Sequence, residues 1–340
     1  MSMIRFLVRI QSYLLLMMVS FSFFCKSLPP IVPVKEHKLQ TISSDGLLRS
    51  FRYYIPKQMK EDKLPVVFLL HGGGGTGEGM IYLTRMSEKA EEYGFIAVYP
   101  DGYANRWNDG RKIPHSITDK RNTKDVDFFR DIIRHLDSEY SIDYNRIHAV
   151  GISNGGFMTQ RLLCEAPDLF SSGYSVAAVT SRGLKEICFP PPQKSMGFIM
   201  GMSDDVVPYQ GGTVSIPADP NNQSQRIAAG DVLSYLESLE YWTSSFSCKE
   251  ETKSNKRHLN KFWKRDIQYT KFTDCLSDQI VEGYLIPGGG HIWPNGFYYQ
   301  NEKQYGYLSK DLDTREIVLQ FFRTTYKKEK LVNNNAPFGN

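Results

Sequence analysis

"HAVGISNGGFMTQ", residues 148–160, runs from a short apolar stretch across a glycine-rich turn into a helix-like stretch. At its centre, Gly151-Ile152-Ser153-Asn154-Gly155 fits G-x-S-x-G, the pattern of a serine held on a sharp strand-to-helix turn. Average glycine and serine usage would supply roughly 0.1 to 0.2 such matches by chance in a chain of this length. The competing reading is an ordinary glycine-rich turn, so the residues around the motif must decide.

They place it in an α/β pattern. "LPVVFLLHGGGG" (64–75) and "GFIAVYPDG" (94–102) are continuous apolar runs ended by turn residues, as expected of strands buried on both faces. "RSFRYYIP" (49–56), "NRIHAVGIS" (145–153), "MGFIMG" (196–201) and "EGYLIPGG" (282–289) read as further strands. "DVDFFRDIIRHLDSEY" (125–140) puts Val126, Phe129, Ile132, Ile133, Leu136 and Tyr140 on one helical stripe. "GFMTQRLLCEAPDLF" (156–170) begins as a helix that Pro167 ends, and "TREIVLQFFRTTY" (314–326) is a closing amphipathic helix. The alternation predicts a mostly parallel central sheet flanked by helices. One catalytic domain is expected over 37–328, with an irregular tail over 329–340. The polar, turn-rich stretch at 211–230 reads as an insertion near the site, and the charged run at 249–265 as a solvated loop.

The 340 residues can bury a sizeable core, and a net charge of +4 gives no reason to expect a nucleic-acid partner. Arg5 and Arg9 followed by "YLLLMMVSFSFF" (13–24) form the charged and apolar regions of an export leader, expected over 1–25. The apolar stretch is short for a membrane span, and no A-x-A cleavage site follows it. An uncleaved leader and lipidation of Cys25 therefore stand as alternative membrane tethers, although Phe23 and Phe24 before Cys25 are poor lipobox residues. Four other cysteines remain, an even number that suits an oxidising compartment. Three pairings are open; Cys164–Cys188 and Cys248–Cys275 are favoured because each closes a short loop. The competing reading is four free thiols. No C-x-x-C or H-E-x-x-H spacing occurs, so neither a metal nor another cofactor is expected.

The chemistry can be read from strand ends. A serine nucleophile needs a base, and the base needs an orienting carboxylate. On a sheet of this kind they follow in the order Ser, Asp/Glu, His, each in a loop after a strand. "MSDDVVPY" (202–209) offers Asp204 and Asp205, and "GGGHIWP" (288–294) offers His291. The Asn154 amide and one from "HGGGGTG" (71–77), Gly73 before Gly74, would form an oxyanion hole. His71 reads as a loop-ordering residue. Trp107 and Trp293 lie in loops at strand ends and are candidate substrate contacts, with core packing the alternative for each. Trp242 sits at helical spacing and reads as core.

Together these segments resemble the esterase family that includes extracellular polyhydroxybutyrate depolymerases and type-one feruloyl and acetylxylan esterases. The likeness runs from about residue 46 to 323. It rests on "RSFRYYIP", "VVFLLHGGGG", "IAVYPDG" with "RWND", "GISNGGFMTQRLLCEAPDLF", "GMSDDVVPYQGG" and "GGGHIWP". The resemblance implies an α/β-hydrolase fold and a triad of Ser153, Asp204 and His291. It prefers Asp204 to Asp205 by position, and it agrees with the favoured cysteine pairing. Asp205 replaces the family's usual proline, Ile292 a common threonine, and Asn295 a frequent glycine. The implied activity is hydrolysis of a small-molecule or polymer ester by an exported enzyme. Without a Ser/Thr-rich linker or added binding module in the sequence, a soluble feruloyl, acetyl or short hydroxyacyl ester is expected. A serine peptidase and a non-catalytic surface-binding protein on the same scaffold are the competing classes.

Overall fold

Successive residues of a strand point to opposite faces of its sheet, so a strand covered on both sides must be apolar at nearly every position. The computed structural model shows the chain built around such strands. It describes residues 32–59, 61–219, 222–245, 248, 250–256, 266–273, 275, 279–296, 306, 308, 310 and 312–334. These fall in the compact unit Val32–Asn340. The expected leader, the Cys25 tether and the last six residues of the expected tail lie outside the described residues.

In chain order the strands are β1 (Lys38–Ser44), β2 (Leu47–Tyr54), β3 (Leu64–Leu70), β4 (Ile96–Pro100), β5 (Ile142–Ile152), β6 (Ser172–Val176), β7 (Ser195–Gly201), β8 (Gly212–Asp219), β9 (Asn222–Val232), β10 (Glu250–Lys256), β11 (Ile267–Thr273) and β12 (Val281–Ile286). The helices are α1 (Gly77–Thr84), α2 (Met86–Tyr93), α3 (Ile117–Arg121), α4 (Asp125–Glu139), α5 (Asn154–Glu165), α6 (Arg182–Ile187), α7 (Tyr235–Thr243) and α8 (Thr314–Asn334). A ten-stranded sheet has the order β1-β2-β4-β3-β5-β6-β7-β12-β11-β10, and β8 and β9 form a separate hairpin. From β4 to β12 neighbouring strands are parallel; the outer pairs are antiparallel. This is the expected α/β architecture.

Alternation along β3 divides the core in two. Val66, Phe68 and Leu70 join the side covered by α4, α5 and α7, whereas Val67 and Leu69 join the side covered by α1, α2 and α8. Helix α4 buries Val126, Phe129, Ile132, Ile133 and Leu136 as its spacing predicts, and Phe128 besides; Tyr140 is half-buried at its C-cap. Trp242 is fully buried on α7.

The structure corrects the reading in three places. The charged run at 249–265 is a strand over Glu250–Lys256, pairing Glu250 with Thr273 through Lys256 with Ile267; its remainder lies outside the described residues. It is the edge strand of the sheet, where charged residues are common and hide the strand pattern. The polar insertion at 211–230 is the β8–β9 hairpin, with register shifts around Val214 and Ala218. Helix α8 continues through Asn334, into the segment read as tail.

Candidate functional site

The site assembles where β3, β5, β7 and β12 end, because parallel strands deliver all their following loops to one edge of the sheet. At the end of β5, Ser153 has φ 55° and ψ −121°, a backbone region that a residue with a side chain seldom enters. Its N–H donates to Val176 O at 2.9 Å, and its carbonyl accepts from Phe157 N at 3.0 Å, the first turn of α5. The flanking glycines are steric necessities. A Cβ on Gly151 would fall 2.2 Å from Gly155 O, and one on Gly155 would fall 2.3 Å from Leu70 O. The turn is squeezed between its own helix and the end of β3.

The loop after β3 is ordered around His71. This buried ring donates from Nδ1 to Gly72 O at 2.7 Å and accepts at Nε2 from Gly102 N at 2.9 Å. Burial pushes its pKa down to about 4, so it stays neutral and orders the loop, as its position suggested. In the glycine run, Gly74 N donates to Asn105 O at 2.8 Å and Gly75 N to Gly72 O at 3.0 Å. The Gly73 amide has no protein partner among the described residues. That difference favours Gly73 over Gly74 as a donor to a substrate oxygen. Asn154 opens α5, and its side chain is committed elsewhere: Oδ1 accepts from Trp107 N at 2.9 Å, while Nδ2 donates to Trp107 O and Asp109 Oδ2. This grip on the loop carrying "RWND" was not visible from the sequence, although the motif itself was.

On the other side of Ser153, the loops after β7 and β12 clasp each other. Met202 N donates to Ile286 O at 2.9 Å and Ser203 N to Gly289 O at 2.8 Å. A Cβ on Gly201 would lie 2.2 Å from Gly289 O. The clasp brings Asp204 and His291 together, with His291 Nδ1 2.8 Å from Asp204 Oδ2. The other carboxylate oxygen accepts from the Val206 and Val207 amides at 2.9 and 2.8 Å, which fixes its orientation. Both side chains are buried, whereas Asp205 is exposed. Of the two adjacent acids, Asp204 is the one that meets the histidine.

A cleft of about 870 Å3 opens over these groups, lined by Gly73, Ser153, Asn154 and His291 among others. The hairpin forms an apolar wall through Val214, Ile216 and Ile227, so the insertion does lie at the site. Trp107 reaches the lining but is 1% exposed, with its Nε1–H donating to His71 O at 2.9 Å. Its ring props the glycine loop. Trp293 is a correction: it is 1% exposed and belongs to the core on the α8 side, with Gly296 folded back against it. The loop after β12 turns its indole away from the cleft.

Two other serine–histidine contacts lie inside the fold, His37 Nε2 to Ser87 Oγ at 2.7 Å and His148 Nδ1 to Ser172 Oγ at 2.8 Å. Neither pair lines the cleft. Burial lowers the pKa of both histidines, that of His148 to about 3. They hold elements together. The cysteines pair as favoured, Cys164 with Cys188 and Cys248 with Cys275.

The Prolyl oligopeptidase family model matches residues 82–185, a span that includes Ser153 but stops short of Asp204 and His291. Over 257 residues the chain is 26% identical to "Putative esterase NocK" of Nocardia uniformis subsp. tsuyamanensis, covering 76% of this chain and 73% of that one. It is 29% identical over 128 residues to Feruloyl esterase B of Neurospora crassa, covering 37% of this chain and 42% of the relative. Among solved structures, the acetyl xylan esterase from Aspergillus awamori is similar at a TM-score of 0.55 and 15% identity, over 84% of this chain and 99% of that one. That last likeness is one of fold. The chain is an α/β-hydrolase esterase.

The esterase is thus a carboxylic ester hydrolase whose relatives match different lengths of it. Its likeness to the feruloyl esterase spans about two fifths of that relative. Among the described residues of the esterase, no cluster of three or more His, Cys, Asp or Glu side chains could hold a metal ion.

Proposed function

We propose that the esterase works by two-step acyl transfer, with Ser153 as nucleophile, His291 as base and Asp204 as orienting carboxylate. The observation that carries this reading is the 2.8 Å contact between His291 Nδ1 and Asp204 Oδ2, in a cleft that Ser153 also lines. An ionised carboxylate only accepts hydrogen bonds, so the histidine proton sits on Nδ1 and Nε2 is left basic. His291 takes the Ser153 proton as Oγ attacks the ester carbonyl. The Gly73 and Asn154 amides hold the resulting oxyanion, each worth about 3 kcal/mol in sites of this kind. His291 then protonates the departing alcohol, and water attacks the acyl-enzyme by the same route in reverse.

The substrates in this reading are small or oligomeric carboxylic esters of the feruloyl, acetyl or short hydroxyacyl type. The names of the relatives support that range, as do the apolar hairpin residues that line the same cleft as the glycine loop. Export belongs to the same proposal, supported by the leader-like N-terminus and by two disulfides that an oxidising compartment would preserve. The match to the Prolyl oligopeptidase family favours a second reading, cleavage of amides by the same serine.

Labelling with a fluorophosphonate probe and turnover of 4-nitrophenyl butyrate, each with Ser153→Ala beside the wild type, tests the proposal. Wild type is expected to label and turn over the ester, and Ser153→Ala to lose both, with a rate drop of about 10^4-fold or more. Equal labelling of the two proteins would overturn it. Faster cleavage of 4-nitroanilide amides than of matched esters would establish the peptidase reading.

A further inference from the structure

The loop between β4 and α3 makes an unusual effort to place one side chain. Ala104 and Asn105 both adopt left-handed backbone, φ 49° and 58°, in a tight turn where Tyr103 and Arg106 pair across an isolated bridge. Consecutive positive φ values define the type I′ pattern, which favours Asn or Gly and is disfavoured for alanine. Inside the turn, a Cβ on Gly102 would fall 2.4 Å from Arg106 O. Either side of Arg106 the chain is tied to a proposed oxyanion donor's segment. Asn105 O accepts from Gly74 N next to Gly73, and Trp107 N donates to the Asn154 side chain.

Arg106 is thereby held over the oxyanion loop. Its Nη1 would lie 3.2 Å from a Cβ built on Gly73. The side chain is exposed, lines the cleft and forms no ion pair among the described residues. Nearby Arg111 differs: its guanidinium is bound to Asp109 and to Ala229 O of the hairpin. His115 also lines the cleft, and no Asp or Glu does so among the described residues. Among the described residues, the cleft therefore carries a guanidinium without an ion pair beside the Gly73 loop, and apolar hairpin residues line the same cleft. A guanidinium presents a planar donor fork suited to a carboxylate.

We infer that Arg106 is a specificity-determining residue that binds a carboxylate carried by the ester substrate. The favoured substrates are esters with a free acid a few atoms from the scissile carbonyl, such as the acid end of a short hydroxyacyl ester. This rests on the serine-esterase reading and narrows its substrate class.

The test compares kcat/KM for matched pairs in wild type, Arg106→Gln and Arg106→Lys at low ionic strength. On the acyl side the pair is 4-nitrophenyl hemisuccinate and 4-nitrophenyl pentanoate. On the alcohol side it is O-butyryl-3-hydroxybutyrate and its amide. In at least one pair, wild type should show an acid-to-neutral ratio about tenfold or more above that of Arg106→Gln, the range of a charge-assisted hydrogen bond. Arg106→Lys should keep part of the preference, and added salt should erode it in wild type and Arg106→Lys but leave the Arg106→Gln ratio unchanged. Equal ratios in wild type and Arg106→Gln for both pairs would overturn the inference. In that case continued hydrolysis of the neutral esters, abolished by Ser153→Ala, would leave the esterase reading standing.

Discussion

The turn at Ser153 and the β8–β9 hairpin both line the cleft, yet they are built in opposite ways. Around Ser153, backbone meets backbone so closely that added methyl groups at Gly151 or Gly155 would overlap carbonyl oxygens. The hairpin is a separate two-stranded sheet with register shifts, and its Ile227 is 39% exposed. Its described ties to the body include the Arg111 bond to Ala229 O, the bond from Arg226 to Asp205 O and the bond from Ser215 N to Val206 O. Geometry that must be held within fractions of an ångström sits on the packed sheet. The apolar wall of the cleft sits on a two-stranded ribbon that joins the core through Val214, Ala229 and Val232 while Ile227 stays part-exposed.

The comparison can be broken first at the clasp. Asp204→Asn should lower kcat/KM by roughly 10^3- to 10^4-fold, the scale seen when a triad carboxylate is neutralised. Asp205→Asn, one residue nearer the hairpin, should stay within about threefold, because its carboxylate is exposed. Comparable losses in both would remove the distinction between the two acids. Next, Gly155→Ala should lose about 3 kcal/mol or more in urea unfolding, since its Cβ would meet the Leu70 and His71 carbonyls at 2.3 and 2.6 Å.

Acid should loosen the sheet side selectively. His71 and His148 have folded-state pKa values of about 4 and about 3, below the 6.5 of an unburied histidine. As pH falls, the unfolded chain takes up these protons before the folded one does. The stability from keeping them neutral is complete above pH 6.5 and drains away between 6.5 and about 4 for His71, and on to about 3 for His148. The hairpin strands contain no histidine. Melting curves at pH 7.5 and 4.5 should show a drop in Tm that His148→Gln makes smaller. The mildest change is Ile227→Ser: unfolding free energy within about 1 kcal/mol of wild type, but a several-fold loss of preference for longer acyl chains over acetyl, roughly in line with the apolar area removed. A uniform loss for all chain lengths would instead give the hairpin a structural role.

Much of the packed half was legible because its constraints are local. Continuous apolar runs announced β3 and β4, helical spacing announced α4, and strand-end placement offered Ser153, His291 and the adjacent pair Asp204 and Asp205. The cysteine pairs also followed from short loop closure. The polar half was harder. Charged residues masked β10, and turn residues masked the hairpin. Trp293 was misjudged because its neighbours in sequence say it lies in a loop after a strand, not which side of that loop it faces. Arg106 was quoted within its motif, but the absence of an ion pair to it among the described residues depends on residues from many segments around the cleft.

By itself, then, the sequence determined which segments could be buried strands, which helices had an apolar face, and which glycine-rich turn could present a serine. These follow from sterics and periodicity over a few residues. Only the tertiary structure decided that Asp204, not Asp205, meets a histidine 87 positions away, that Gly73 keeps its amide free, and that Trp293 points into the core. Each depends on how separate loops converge at one sheet edge, and no local pattern encodes that meeting.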